Sequence, residues 1–131
     1  MKSDITVKIL GSTPDRIYPT EVLELALKNA QVLIDENKLF VTKRNRESTF
    51  VSLLDIIGTI TKLELNDGSV YAAINFLDTP AYRVVKETID NIPNFDINSA
   101  FSCFGFGTVK KNENKVDVVQ SDFELCCAYL K

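Results

Sequence analysis

The sequence contains no histidine and no tryptophan among its 131 residues. Histidine is the usual general base in Ser-His-Asp and Cys-His sites and the commonest metal ligand, so its absence excludes those chemistries. No apolar run reaches about 18 residues, so we expect no transmembrane helix. Residues 1–4 lead into an alternating pattern and not into the apolar core of a signal peptide, so we expect a cytosolic protein.

Cysteine is also scarce, and its spacing is uninformative. The three cysteines, Cys103, Cys126 and Cys127, are odd in number and form no Cys-x-x-Cys pair. A zinc site would need more ligands at a different spacing. We therefore expect no metal and no other cofactor, and we expect the cysteines to be small apolar residues in buried strands.

The composition is that of an ordinary globular protein, with 45% hydrophobic and 25% charged residues. A chain of this length can bury one core without disulfides or metal, so we expect a single domain over residues 1–131. The net charge of −3 and the pI of about 5.0 give no electrostatic case for binding nucleic acid or an anionic membrane. We expect neither as a partner.

Two helices are predicted from apolar residues that recur at helical spacing. In the first, Thr20 can cap a helix that follows Pro19 and ends near residues 35–37. Its apolar face consists of Val22, Leu23, Ala26, Ala30, Leu33 and Ile34. The second helix starts with Thr79 as the cap and Pro80 in the first turn, and Pro93 should end it. Its apolar face consists of Val84, Val85, Thr88, Ile89 and Ile92.

The remaining apolar segments predict about six or seven strands. Alternation of Ile5, Val7 and Ile9 indicates the first, and residues 39–41, 56–65, 70–77, 99–104 and 117–130 indicate the others. Asn66-Asp67-Gly68 predicts a tight hairpin turn. We therefore expect an α+β fold, a small, largely antiparallel β-barrel or sheet flanked by two main helices.

Four regions of the sequence resemble one protein family in their order and spacing. They contain DRIYPTEVL at 15–23, KLFVTKRNRE at 38–47, DTPAYR at 78–83, and FSCFGFG at 101–107 with VQSDFEL at 119–125. Together they resemble the prohead core proteases of tailed bacteriophages, whose motifs are N-G-R-x-Y-P, G-E-L-x-H-P, D-T-P-x-G-R, V-S-S-R-G-x-G and D-F-E-L. The resemblance spans nearly the whole chain, although no single motif is specific.

This resemblance implies positions for a serine-protease triad. Ser102 falls at the family's nucleophile, Arg46 at its histidine base and Tyr129 at its aspartate. Gly105 and Gly107 fall in the loop that would form an oxyanion hole. The alternative for these glycines is a bend or close packing at the end of a strand.

The departures from the family pattern predict an inactive site. A serine hydroxyl needs a neighbouring base, and arginine offers only donors, so Arg46 cannot activate Ser102. A Ser-Lys dyad could use Lys43 or Lys110 if burial removed the lysine's proton, but both lie in polar stretches. Cys103 could act as a thiol nucleophile, but it lacks a histidine partner and points to the opposite face of the strand from Ser102.

The resemblance further implies a fold like that of herpesvirus assemblin and a role in phage head assembly. We expect a non-catalytic protein that binds capsid or scaffold proteins of the same phage, in the host cytoplasm during assembly or in the virion head. Lys43, Arg44 and Arg46 are candidates for partner binding, and a homodimer is also implied. Two alternatives stay open: an active serine protease that cleaves scaffold and capsid precursors through Ser102 with a non-histidine base, and an unrelated host-directed role.

Overall fold

The computed structural model describes residues 4–43 and 54–130. These residues form nine strands and two α-helices, with a short 3-10 helix at Ile97–Ser99. The helices are α1 (Thr20–Asp35) and α2 (Pro80–Asp90). The strands are β1 (Asp4–Gly11), β2 (Arg16–Ile17), β3 (Phe40–Thr42), β4 (Ile56–Asn66), β5 (Ser69–Phe76), β6 (Phe101–Phe106), β7 (Val109–Lys111), β8 (Asp117–Val119) and β9 (Glu124–Leu130).

Six strands form one sheet in the order β1-β5-β4-β3-β9-β6. Its pairs are antiparallel except for β3 and β9, which run parallel. The two edge strands, β1 and β6, approach each other, so the sheet is nearly closed. A second, three-stranded sheet has the order β2-β8-β7. The predicted α+β architecture with a largely antiparallel sheet and two helices is confirmed.

The core lies between the concave strands and the buried faces of the helices. Val7 and Ile9 of β1 and every second residue of β5 from Val70 to Phe76 are buried, as the alternating pattern predicts, whereas Ile5 is partly buried. The buried face of α1 consists of Val22, Leu23, Ala26, Ala30 and Ile34. Val22 and Ala26 pack in a separate cluster with Val119 and Phe123, so α1 joins the segment around β8 to the rest of the molecule.

Local signals predicted the β4–β5 hairpin and the start of α2 correctly. Asp67 and Gly68 both adopt positive φ, 51° and 76°, as a tight hairpin turn requires. Thr79 is the N-cap of α2, with Pro80 as the first helical residue.

None of the helices in the described part of the chain is long and apolar enough to cross a membrane.

Three local predictions are wrong. Pro19, and not Thr20, occupies the N-cap position of α1, and no side chain caps this helix. Val84, Thr88 and Ile92 were expected on the buried face of α2. All three are exposed, Val84 at 63% and Ile92 at 44%, because Ala81 and Val85 take the core-facing positions. The strand predicted from residue 99 begins at Phe101, since Ser99 belongs to the 3-10 helix.

Thr79 links the start of α2 to the sheet through two hydrogen bonds. Its Oγ1 accepts from the Tyr82 backbone N–H at 3.1 Å and donates to the Ile56 carbonyl at 2.6 Å. We expect Thr79→Ala to lower the free energy of unfolding by about 1–2 kcal/mol, because it removes a cap and leaves a partly buried carbonyl without that donor.

Thr88→Ala is the matched control, because the Thr88 hydroxyl donates to the Val84 carbonyl on the exposed side of α2. This change should alter the free energy of unfolding by less than about 0.5 kcal/mol. Urea unfolding of both variants makes the comparison. Equal effects of the two substitutions would contradict the role given to Thr79.

Candidate functional site

The site is built on β9, which inserts between β3 and β6. Tyr129 on β9 pairs with Thr42 on β3 and with Ser102 on β6. Three adjacent strands therefore bring three hydroxyl-bearing residues to one level of the sheet. Two of them, Ser102 and Tyr129, are the predicted nucleophile and aspartate positions; their catalytic roles stay predictions.

Alternation along the strands decides which way this row faces. The neighbouring row, Val41, Ala128 and Cys103, packs into the hydrophobic core. Because paired residues share a face and successive residues alternate, Thr42, Tyr129 and Ser102 lie on the opposite face of the sheet. Thr42 is fully buried there, and its hydroxyl lies 3.5 Å from the Ala128 carbonyl. Tyr129 and Ser102 are partly exposed.

The predicted base position, Arg46, cannot be located relative to this row, because the described residues stop at Lys43 and resume at Leu54. Arg46 comes four residues after Thr42, and Arg46 and Arg44 both lie outside the described residues. With strands about 4.8 Å apart, Thr42 lies about 10 Å from Ser102, with Tyr129 between them.

Ser102 lines an open cleft of about 590 Å³ between the two edge strands of the large sheet. Its walls are the end of β1, the segment that follows it, the 3-10 helix and the start of β6. Four charged residues line it: Lys8, Asp15, Arg16 and Asp117. Asp117 pairs with Lys111 at 3.0 Å and with Arg16 at 3.9 Å, so its carboxylate is already engaged by two cations.

Tyr129 lines a second cleft, of about 330 Å³, which adjoins the first because Arg16 and Tyr18 line both. This cleft is strongly aromatic: Tyr18, Phe106, Phe123 and Tyr129 form its walls. The rings of Tyr18 and Phe123 meet edge to face with centroids 5.6 Å apart.

Among the described residues, no cluster of histidine, cysteine or carboxylate side chains could hold a metal ion.

The two glycines beyond Ser102 are required by close packing. A Cβ on Gly105 would lie 2.5 Å from the Glu124 carbonyl oxygen, and one on Gly107 would lie 2.8 Å from the Cα of Phe123. Both contacts are shorter than real Cβ contacts, so a side chain at either position would force residues 105–107 away from Phe123 and Glu124. The packing interpretation therefore accounts for both glycines, and an oxyanion role for them stays a prediction.

The segment after Gly107 is held by Asp122. The carboxylate Oδ1 of Asp122 accepts hydrogen bonds from the Thr108 backbone N–H at 2.9 Å and from the Thr108 hydroxyl at 3.1 Å. The backbone hydrogen bond from Thr108, ahead of the hydroxyl, holds the pKa of Asp122 below its usual range. This contact fixes the wall of the aromatic cleft.

None of the substitute groups considered from the sequence is placed to activate Ser102. Lys43 pairs with the buried carboxylate of Asp55 at 3.7 Å, on the side of β3 that faces β4 and away from Ser102. Lys110 is exposed on β7, opposite Val118, and lines neither cleft. Burial raises the pKa of the Cys103 thiol to about 12, so it is not a thiolate nucleophile at neutral pH.

One solved structure with a closely similar fold is that of the bacteriophage T4 capsid assembly protease, gp21. The TM-score is 0.79, and the alignment covers 98% of this chain and 82% of that one, at 14% sequence identity. The chain has a prohead-protease-like fold. No protein-family model matches the sequence, and no curated protein matches it significantly. The fold prediction is confirmed, whereas the further likeness to herpesvirus assemblin stays a prediction.

Sequence reasoning missed the groups that surround Ser102. Lys8, Asp15 and Asp117 come from three separate segments, and only tertiary structure brings them to one cleft. Arg16 and Tyr18 belong to the R-x-Y-P motif at residues 15–23, so the family resemblance pointed to this segment of the chain. Nothing in the sequence showed that they join the two clefts.

The hydrogen bonds to Asp122 predict a pH dependence. Because the folded-state pKa of Asp122 is lowered, its contribution to stability is present above the unfolded-state pKa of about 4 and is lost as the pH falls through the folded value. We expect Asp122→Ala to lower the urea midpoint at pH 6, and the difference from wild type should narrow below about pH 4.

Glu113→Ala, in the exposed turn after β7, is the control for this measurement, and it should leave the urea midpoint unchanged at both pH values. A difference between Asp122→Ala and wild type that stays constant down to about pH 3 would show that the carboxylate does not act through its charge.

Proposed function

We propose that the protein serves phage head assembly without catalysis, binding capsid or scaffold proteins of its own phage through a retained protease fold. The observation that carries this proposal is the combination of a capsid-protease-like fold over 98% of the chain with a sequence that contains no histidine. A site of the Ser-His type cannot be assembled from these residues.

The chemistry of the candidate site supports this proposal. Tyr129 stands beside Ser102, where the family resemblance expects an aspartate that orients the histidine. Thr42 and Tyr129 offer hydroxyl groups, which are weak bases at neutral pH. Lys43 is paired with Asp55, and Lys110 is remote from both clefts. These features favour a serine hydroxyl that keeps its proton.

The proposed partners determine where in the infected cell the protein would act. A protein that binds capsid or scaffold during assembly acts in the host cytoplasm and either leaves or stays in the virion head. Among the residues named for partner binding from the sequence, the Lys43 side chain is engaged by Asp55 and only 37% exposed. Arg44 and Arg46 remain the candidates for that role, and a homodimer remains a second arrangement of the same proposal.

One observation favours a second function, an active serine protease. Ser102 is partly exposed in an open cleft that Lys8 and the carboxylates of Asp15 and Asp117 also line. A lysine or a carboxylate in such a cleft could accept the serine proton if it came within hydrogen-bond distance. This alternative predicts cleavage of scaffold and capsid precursors that depends on Ser102.

A cleavage assay with the phage's scaffold and capsid precursors separates the two functions. We expect the wild-type protein, Ser102→Ala and Ser99→Ala to leave the precursors intact and to co-sediment equally with proheads. Ser99 is the matched control because it lines the same cleft while its hydroxyl donates to Asp96 at 2.6 Å.

The assay tests the two parts of the proposal, absence of catalysis and binding to proheads, independently of each other. Cleavage that is lost in Ser102→Ala and kept in Ser99→Ala would establish the protease and overturn the non-catalytic function. Failure of the wild-type protein to co-sediment with proheads would overturn the binding function, whatever the result for cleavage.

A further inference from the structure

The outer face of α1 carries two large apolar side chains that the fold leaves uncovered. Leu25 is 40% exposed and Val32 is 60% exposed. Their separation of seven residues places them on one side of the helix, two turns apart, and the exposed Asn29 lies between them. The spacing i, i+4, i+7 is the one by which amphipathic helices meet a partner helix.

Asn29 gives the centre of this face a polar group between its two apolar anchors. A carboxamide offers two N–H donors and a carbonyl acceptor, so it can bond to a polar side chain of either kind. A single asparagine within an otherwise apolar helix contact is known to fix the register of the two helices. The face therefore suits a partner helix that places apolar residues against Leu25 and Val32.

Charged residues border these anchors on the exposed side of α1, and Lys28, three residues after Leu25 and four before Val32, lies beside both of them. Four carboxylates lie on the exposed side or at the ends of α1, and Lys28 is the one cation within the helix. These carboxylates belong to Glu21, Glu24, Asp35 and Glu36. All of these side chains are exposed, so they are available to a partner that approaches the face. The margin of the face is therefore mainly negative.

The C-terminal end of α1 is electrostatically unfavourable in the isolated protein. The carbonyl groups at a helix C-terminus carry partial negative charge, which favours basic residues there. The last turn of α1 contains none, and it ends instead with Asp35 followed by Glu36. The Gln31 amide donates to Asp35 at 2.8 Å, and Lys38 lies 3.8 Å from Glu36 with both side chains more than half exposed. Cations supplied from outside would therefore stabilise this end.

A second copy of the same helix fits this face poorly. If two α1 helices packed antiparallel with Leu25 against Val32 of the other copy, Glu21 would lie level with the other copy's Glu36. In a parallel pair, each of these glutamates and Lys28 would lie level with its own counterpart. Like charges would oppose both arrangements. The charge pattern instead complements a helix whose apolar ridge is flanked by lysine and arginine.

We propose that the outer face of α1, formed by Leu25, Asn29 and Val32 with their acidic margin, binds a basic amphipathic helix of a partner protein. This inference names the surface that would bind the capsid or scaffold partner, and in that respect it rests on the proposed function. It adds a binding face made by α1, separate from the two clefts of the candidate site.

The test uses a synthetic helical peptide of about 18 residues, labelled with fluorescein, with leucine at i, i+4, i+7 and i+11 and lysine on both flanks. A second peptide keeps the leucines and replaces each lysine with glutamate. Fluorescence anisotropy measures the affinity of each peptide for the wild-type protein, for Leu25→Ser/Val32→Ser and for Val84→Ser. Val84 is the matched control, since it is 63% exposed on α2.

We expect the lysine peptide to bind the wild-type protein and Val84→Ser alike, and to bind Leu25→Ser/Val32→Ser at least about tenfold more weakly. The glutamate peptide should bind the wild-type protein at least about tenfold more weakly than the lysine peptide. Three results would overturn the proposal: no binding of the lysine peptide, equal binding to the double variant, or equal binding of the two peptides.

Prohead co-sedimentation of the double variant separates this inference from the proposed function. Reduced co-sedimentation of Leu25→Ser/Val32→Ser, with Val84→Ser unchanged, would support the α1 face as the natural docking surface. Full co-sedimentation of the double variant would overturn it while leaving the proposed function intact. If the wild-type protein fails to co-sediment, the proposed function fails, and the peptide measurements alone decide whether the α1 face binds basic helices.

Discussion

The insertion of β9 between β3 and β6 is the constraint on which the candidate site depends. In the large sheet β6 pairs with β9, and β3 contacts β9 across 86 positions of sequence. Without this pairing, Ser102 would have no fixed position relative to Tyr129 or to the end of β3. The site therefore forms only when distant segments of the chain are brought together. Bringing such distant segments together costs conformational entropy. Burial of the apolar residues around Ala128 must offset this cost.

This arrangement separates the stability of the fold from the chemistry of the site. The row next to Ser102, with Val41 and Ala128, is buried in the core and holds the three strands together. The row that contains Ser102 and Tyr129 lies on the other face and contributes less to that core. A fold can therefore keep its architecture while the side chains on one face change, since function resides in the site and not in the fold.

The sequence predicted best what is decided by neighbours in the chain. Alternation indicated β1 and β5, Asp67-Gly68 the hairpin turn, and Thr79-Pro80 the start of α2. Strand order and register depend on contacts between distant segments, which periodicity does not encode, so the parallel pairing of β3 with β9 and the short strands β2 and β7 were not predicted. The family resemblance supplied Ser102 and Tyr129 as site positions, but the residues that line their clefts required the tertiary structure.

Our central proposal is that Ser102, in a prohead-protease-like fold, is not activated by a neighbouring base. Reaction with a fluorophosphonate tests this most directly, because such reagents modify serine hydroxyls that a neighbouring base has activated. Intact-mass measurement of the wild-type protein and Ser102→Ala after the reaction gives the extent of modification. We expect no adduct on either protein at neutral pH. A single adduct on the wild-type protein that is missing from Ser102→Ala would contradict the proposal. It would show that a group other than histidine acts as the general base for Ser102.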